Sequence, residues 1–349
     1  MAGNVREWTM NSLGTDRRFI LGGAWNSPSY LAADPEALSP FDRSPQNGLR
    51  CVRNLAPLPP ALLQPIKPFE RDFSRYKPVS DPVFSAYQQL YVYGKSPLNA
   101  TMVGAARDEV DWRVEKVMLD VPYNRERMAI YVFLPKRIQP PYQAVVFFPS
   151  ARVEDQTDSR ELGDVPFFDY VVQSGRAVLY PVYQDTYERR ETSGMPGTFS
   201  SSVIVQRAID VGRTIDYAQS RGDIAKDKLA YLGVSMGAAE GVIYATLQQA
   251  RLKAAVFLDG GYFLNAMPAG QDQADFAPRL KTPVLMVNGR YDFTFSLERS
   301  QEPLFKTLGT PAADKAHVVL ETPHDVRADR PRLVNAVLGW LDKYLGRVQ

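Results

Sequence analysis

Residues 228–249 read KLAYLGVSMGAAEGVIYATLQQ. An apolar run reaches Ser235, which has Gly233 and Gly237 two positions away on either side, and passes at once into helical spacing. A strand that turns into a helix at so tight a corner presses the positions two residues either side against neighbouring backbone. Glycine, having no Cβ, avoids the collision. The serine itself is expected in a strained conformation that lifts its hydroxyl off the sheet. The helix that follows aims free N–H groups and a partial positive charge at the same spot, where an oxyanion would develop. Gly233-Val234-Ser235-Met236-Gly237 carries weight because of its flanks. Without them it would read as an ordinary tight turn between strand and helix.

A serine hydroxyl is a weak nucleophile and needs a base to take its proton. The chain has two histidines. His317 lies in AHVVL, at the start of an apolar strand. His324 lies in ETPHD, just past the end of the same strand, and is the preferred base: loops at the carboxyl ends of parallel strands share one edge of the sheet, and the strand's start lies at the other. The base needs an acid to hold its tautomer. Asp292 ends the run PVLMVNGRYD on that same edge, and the order Ser235, Asp292, His324 suits such an architecture. Asp259 in VFLDGG is the runner-up. Asp325 adjoins His324, and adjacent side chains diverge. The second oxyanion donor, besides the Met236 N–H, is expected in the loop after AVVFFPS. Ala151 is the best candidate, with a slip of one residue left open. Arg152 reads as a solvated surface residue, with contact to a substrate carboxylate as the other option. Phe148, Tyr183, Tyr187, Tyr262, Tyr291, Phe293 and Phe295 lie near the same edge, either lining a substrate pocket or filling core.

From residue 111 onward, strand and helix signals alternate. WRVEKVMLDV and MAIYVFLP form an expected antiparallel pair. AVVFFPS, AVLYPVY, KLAYLGVS, KAAVFLDG, PVLMVNG and HVVLETP follow, several of them continuous apolar runs suited to burial on both faces. Helical patterns intervene at 165–175, 201–222, 236–250 and 330–346. The expectation is a mostly parallel eight-stranded sheet flanked by helices. Residues 55–110 form a proline-punctuated arm with a helical candidate at 82–94, which could lean over the site. Residues 1–54 form an irregular extension.

The 349 residues carry 41 Lys and Arg against 39 Asp and Glu, a net charge of +2. This gives no electrostatic case for a nucleic-acid partner. Cys51 is the single cysteine, so no internal disulfide can form. MAGNVREWTMN lacks the apolar centre of a signal peptide, and no apolar run is long enough to span a bilayer. A cytoplasmic location with no membrane partner is expected. Two histidines seven apart, with no cysteine cluster, do not match a zinc pattern, and Gly22-Gly23 and Gly260-Gly261 lack dinucleotide-loop spacing.

With GVSMG, NGRYD, TPHD and the helix RAIDVGRTIDYAQSRGDI in place, residues 85 to 349 resemble the α/β-hydrolase fold family in its esterase and acyl-peptidase-like branch. The resemblance implies a covalent acyl-enzyme hydrolysed by water, with no metal or organic cofactor. The leading expectation is a serine carboxylesterase acting on small or short-chain esters. An acyl-peptidase, a thioesterase and an inert binding module are the alternatives. Oligomeric state stays open, a dimer among the options. At the N-terminus, GNVREWTMN, RFILGGAWNSP and SPFDRSPQNGLRCVRN resemble the tail of a formylglycine-generating (sulfatase-modifying) enzyme domain. Only its last segment is matched. That implies a non-catalytic remnant, either part of a larger multidomain bacterial protein or a flap on the hydrolase.

Overall fold

The computed structural model of the chain describes residues 4–13, 17–27, 36–65, 71–94, 96–190 and 202–348. Parts of the expected segments lie outside these residues: 66–70 and Lys95 of the proline-rich arm, Ser201 at the head of a helix, and 1–3, 14–16 and 28–35 of the N-terminal extension, including Gly3 and Pro28 of its resemblance. The chain divides into two compact units, 1–70 and 71–349. The expected arm, 55–110, is split by this boundary.

In the first unit, Glu36–Leu38, Arg17–Leu21, Arg6–Leu13 and Asn47–Gly48 form a four-stranded sheet in that order. Among the described residues, Phe19, Ile20, Ala24, Ala37 and Leu38 are its buried hydrophobic ones. Cys51 is exposed.

In the second unit the apolar runs pair into one ten-stranded sheet. Eight strands carry it: β1 (Trp112–Asp120), β2 (Arg127–Pro135), β3 (Tyr142–Phe148), β4 (Ala177–Pro181), β5 (Ile224–Val234), β6 (Ala254–Leu258), β7 (Val284–Gly289) and β8 (Lys315–Leu320). Two-residue strands Thr101–Met102 and Arg107–Asp108 pair antiparallel with β1 and make up the ten. The order is β8-β7-β6-β5-β3-β4-β2-β1. The pairs β1·β2 and β2·β4 are antiparallel and the remaining pairs among these eight are parallel. The helices are α1 (Asp81–Gln89), α2 (Asp169–Gln173), α3 (Val203–Ser220), α4 (Met236–Leu247), α5 (Gln273–Phe276), α6 (Glu302–Thr307) and α7 (Arg330–Leu345).

Side-chain direction alternates along a strand, so a strand apolar at every position feeds two cores. Ala144, Val146 and Phe148 of β3 face one core and Val145 and Phe147 the other; Leu229 and Tyr231 of β5 alternate in the same way with Ala230, Leu232 and Val234. Val211 and Ile215 of α3 and Val242 of α4 cover the first core. Val337, Trp340 and Leu341 of α7 cover the second. The arm within this unit is anchored at 262–280: Phe73 stacks on Tyr262, Tyr76 OH donates to Asp275 Oδ1 at 2.9 Å, and Phe84 of α1 meets Phe276 edge-on.

Strand order reverses beside β3, since β3 leads to β4 on one side while β5 lies on the other. The crevice at the carboxyl ends of β3 and β5 is therefore the topological switch point, where open α/β sheets bind ligands. Leu341, fully buried under β5–β7, reports on the α7 face. Leu341→Ala is expected to lower unfolding free energy by about 2–5 kcal/mol, read as a reduced urea midpoint with unchanged slope.

Candidate active site

The register brings the strand ends level. Gly233 pairs with Phe148, Val234 with Leu258, and Gly289 with Leu320. Ser235 follows β5 directly, with φ 52° and ψ −110°. Its N–H donates to Leu258 O at 2.8 Å, which holds the corner against β6. The glycines are required by space: a Cβ on Gly233 would lie 2.0 Å from Gly237 O, and one on Gly237 would lie 2.5 Å from Phe148 O.

His324 comes from the loop after β8 and Asp292 from the turn after β7. Ser235 Oγ lies 2.9 Å from His324 Nε2, and His324 Nδ1 lies 2.8 Å from Asp292 Oδ2. The carboxylate accepts, so Nδ1 carries the hydrogen, and in the neutral imidazole Nε2 offers its lone pair to the serine hydroxyl. The second carboxylate oxygen accepts from Phe295 N–H at 2.9 Å. Asp292 is thus pinned at both oxygens, with a side chain of zero exposure. Burial pushes the His324 imidazole down, but the Asp292 charge, its hydrogen bond and the nearby Asp259 and Asp325 outweigh it, raising the pKa from 6.5 to about 9.

His317 is elsewhere. Its Nε2 lies 3.1 Å from Asn288 Oδ1, and burial lowers its pKa to about 4. Asp325 turns toward Arg327, 2.6 Å away. Asp259, the runner-up acid, is close to the triad without displacing Asp292. It has φ 51°, and its Oδ2 accepts from Val326 N–H at 3.0 Å, two residues past His324. Its Oδ1 is buried with no hydrogen-bond partner among the described residues. Burial raises its carboxyl to about 7. Donor atoms of Asp259, Asp292 and His324 lie within 4.8 Å of one another, but both imidazole nitrogens are engaged by Ser235 and Asp292, which leaves none for a metal ion.

The loop Pro149–Arg152 faces the serine's corner, since Pro149 O accepts from Gly237 N–H at 3.2 Å. Proline has no N–H. Ser150 N–H donates to Asp164 Oδ2 at 2.7 Å, and Arg152 N–H to Ser150 Oγ at 3.4 Å. Among the described residues, no acceptor takes the N–H of Ala151 or of Met236. The slip of one residue left open by the sequence would land on an engaged N–H.

Four of the aromatic residues considered as pocket walls are core instead. Phe148, Tyr183, Tyr187 and Tyr262 are at most 1% exposed. Phe148 stacks between Tyr183 and Tyr244, Tyr187 OH pairs with Tyr180 OH, and Tyr262 packs on Phe73 with its OH bonded to Thr307. The aromatic run at a strand's end continues the inward alternation of the strand, which sequence alone does not separate from a cleft wall. Tyr291 is a surface residue bonded to Glu321. Phe295 is buried beside the imidazole, ring centres 5.9 Å apart, and Phe293 is partly exposed. The sequence reading missed Arg207, whose buried guanidinium reaches Met236 and Glu240 of α4. Its signal was charge at three-residue spacing (Arg207, Asp210, Arg213) within an apolar helical pattern.

No protein-family model matches the chain, and no curated protein sequence does. Solved structures do. An acetyl xylan esterase from Paenibacillus sp. R4 superposes with TM-score 0.58 at 17% identity, covering 79% of this chain and 97% of its own. Acetyl xylan esterase 1 from Thermoanaerobacterium sp. JW/SL YS485 gives 0.53 at 13% identity, over 73% of this chain and 93% of its own. A cold-adapted esterase from an Arctic intertidal metagenomic library gives 0.53 at 15%, over 71% and 100%. At these identities the likeness establishes the fold.

The imidazole's surroundings are testable directly. In a nitrogen-15 NMR titration, His324 is expected to lose its proton well above pH 6.5, toward about 9. Asp259→Asn removes a carboxylate that is ionised in that range and should move the midpoint down. A wild-type midpoint at or below 6.5 would mean that burial outweighs the carboxylates around the imidazole.

Proposed function

We propose that this chain is a serine carboxylesterase that cleaves small or short-chain carboxylic esters through an acyl-enzyme. The observation that carries the reading is the relay Ser235 Oγ–His324 Nε2 (2.9 Å) and His324 Nδ1–Asp292 Oδ2 (2.8 Å), built on a serine at φ 52°.

In the proposed reaction, Ser235 Oγ attacks the ester carbonyl while its proton passes to His324 Nε2. The carbonyl π electrons move onto oxygen, and the oxyanion is held by the N–H groups of Met236 and Ala151, at the positive end of α4. Collapse breaks the bond to the alcohol, which leaves with the proton from His324. Water then repeats the sequence on the acyl-serine, with His324 as base, and releases the acid. Asp292 keeps Nδ1–H in place and stabilises the imidazolium. The preference for short acyl groups is supported by Phe148, Tyr183, Tyr187 and Tyr262 belonging to the core, where they contribute no wall to a long acyl channel.

Ser235→Ala is expected to cut kcat on p-nitrophenyl acetate by about a thousandfold or more and to abolish labelling by a fluorophosphonate. Parallel assays on thioester and aminoacyl-amide substrates should give lower kcat/KM than the ester. Undiminished turnover in the alanine variant would overturn the assignment of the nucleophile. Ala151→Pro tests the second donor with little backbone cost. The residue opens a 3-10 turn, where proline is tolerated, and Ser150 before it is extended (φ −74°, ψ 166°) as a residue preceding proline prefers. A fall in kcat of about 10²–10³ is expected; wild-type kcat would place the donor elsewhere.

A further inference from the structure

Helix α3 buries Arg207, Asp210 and Arg213 among its apolar residues. Arg207 has no exposed surface. Its Nε donates to Gln184 O at 2.9 Å, Nη1 to Glu240 Oε1 at 3.0 Å and Met236 Sδ at 3.1 Å, and Nη2 to Glu154 Oε1 at 2.7 Å. Tyr244 OH donates to Glu240 Oε2 at 2.6 Å and completes that carboxylate's partners. The acceptors belong to three separate connections at the carboxyl edge of the sheet. Glu154 closes the 3-10 turn Ala151–Glu154 that begins with the free Ala151 N–H. Gln184 follows β4. Met236 and Glu240 lie at the head of α4, where the free Met236 N–H sits.

A buried ion cluster is a weak source of net stability, because removing the charges from water offsets their attraction, and hydrocarbon of equal volume would fill the core as well. A planar guanidinium does one thing hydrocarbon cannot: it fixes the spacing of several acceptors with a rigid fork. We infer that Arg207 is a positioning residue for the oxyanion site, holding the Ala151–Glu154 turn and the head of α4 at one separation so that the N–H groups of Ala151 and Met236 converge. The inference rests on the proposed esterase reading, which supplies the oxyanion. The clamp itself is a property of the three connections. Lysine in place of Arg207 keeps the charge but offers a single flexible ammonium, which cannot span them. Small displacements of reacting groups cost about 10²-fold in rate, so the loss should fall on the transition state more than on substrate binding.

The test compares Arg207→Lys and Glu154→Gln with Arg213→Lys. Arg213 lies on the same helix and is as deeply buried, but it serves the carbonyls of Ser96, Pro97 and Asp120. For p-nitrophenyl acetate, Arg207→Lys is expected to lower kcat about tenfold or more with KM within about twofold. Its affinity for a trifluoromethyl ketone, which forms a tetrahedral adduct on the serine, should fall by the same factor as kcat/KM. Glu154→Gln, with a partly exposed side chain better able to tolerate exchange, should lower kcat less and in the same direction. Arg213→Lys should leave kcat within about twofold. Amide hydrogen exchange should quicken over 149–155 in the first two variants and not in the third. Wild-type kcat in Arg207→Lys, or a loss matched by Arg213→Lys, overturns the inference. If Arg207→Lys does not fold, unchanged kcat and exchange in Glu154→Gln overturn it. If the wild-type chain hydrolyses no ester, the esterase reading fails, and the exchange measurement alone decides whether Arg207 holds the turn.

Discussion

Ser235 is held where an L-residue rarely rests, at φ 52° and ψ −110°, and the second unit is organised around keeping it there. Such a conformation costs about 1–3 kcal/mol and persists only when the surroundings over-determine it. Here the Ser235 N–H is tied to β6, and the Gly237 N–H is tied to the loop after β3. Tyr231 OH donates to Gly237 O at 2.6 Å from the strand side. Helix α4 is buried on every face through Thr246, so the corner cannot relax without withdrawing an apolar helix from the core. The cost of the corner is therefore offset by packing far larger than itself.

Strain recurs along the same edge. Among the described residues, five of the eight non-glycine residues with positive φ follow β3 to β6: Asp164, Asp185, Tyr187, Ser235 and Asp259. Four carry hydroxyl or carboxyl groups that meet the edge's connections: Asp164 accepts from Ser150 N–H, Tyr187 OH from Gly163 N–H, Asp259 from Val326 N–H, and Ser235 meets His324. The polar side chains at the ends of the strands act on one another's backbones: the turn carrying Ala151 is fastened by Asp164, farther along the same connection, and the loop carrying His324 by Asp259, from the end of β6. Asp259 shows the consequence. It fastens the histidine's loop and adds to the field on the imidazole, and burial raises its own carboxyl to about 7.

The sheet was legible because its strands are apolar on both faces, a pattern with few other uses, and because the glycine pair around Ser235 has a steric cause in sequence. The eight runs became the eight long strands. The two-residue strands beside β1 carry no periodicity to detect. His324 was separable from His317 by asking which end of a strand each occupied, an argument that depends only on the strands being parallel. The aromatic residues were not separable: Phe148, Tyr183 and Tyr187 sit at strand ends or just past them, where the alternation of the core and the lining of a crevice predict the same residue types. Domain limits were also blurred, because the proline-rich arm looks uniform in composition while its later part, from Phe73 to Phe84, docks on Tyr262 and Phe276.

Arg207, Asp210 and Arg213 stand at one-turn spacing on α3, and periodicity reads such residues as the helix's wet face. All three are buried. Their partners come from segments far apart in the chain, Glu154 and Glu240 for Arg207, Tyr123 and Arg189 for Asp210, Ser96 and Asp120 for Arg213. No local pattern can pair residues that meet only after the sheet has closed. A helix that merely covered a sheet would have no use for three buried charges. One that must register the loops at the sheet's edge against each other does, because directional bonds fix spacing and hydrocarbon contact does not. On this view, α3 covers the sheet with its apolar residues and ties separate connections to one another with its buried charged ones.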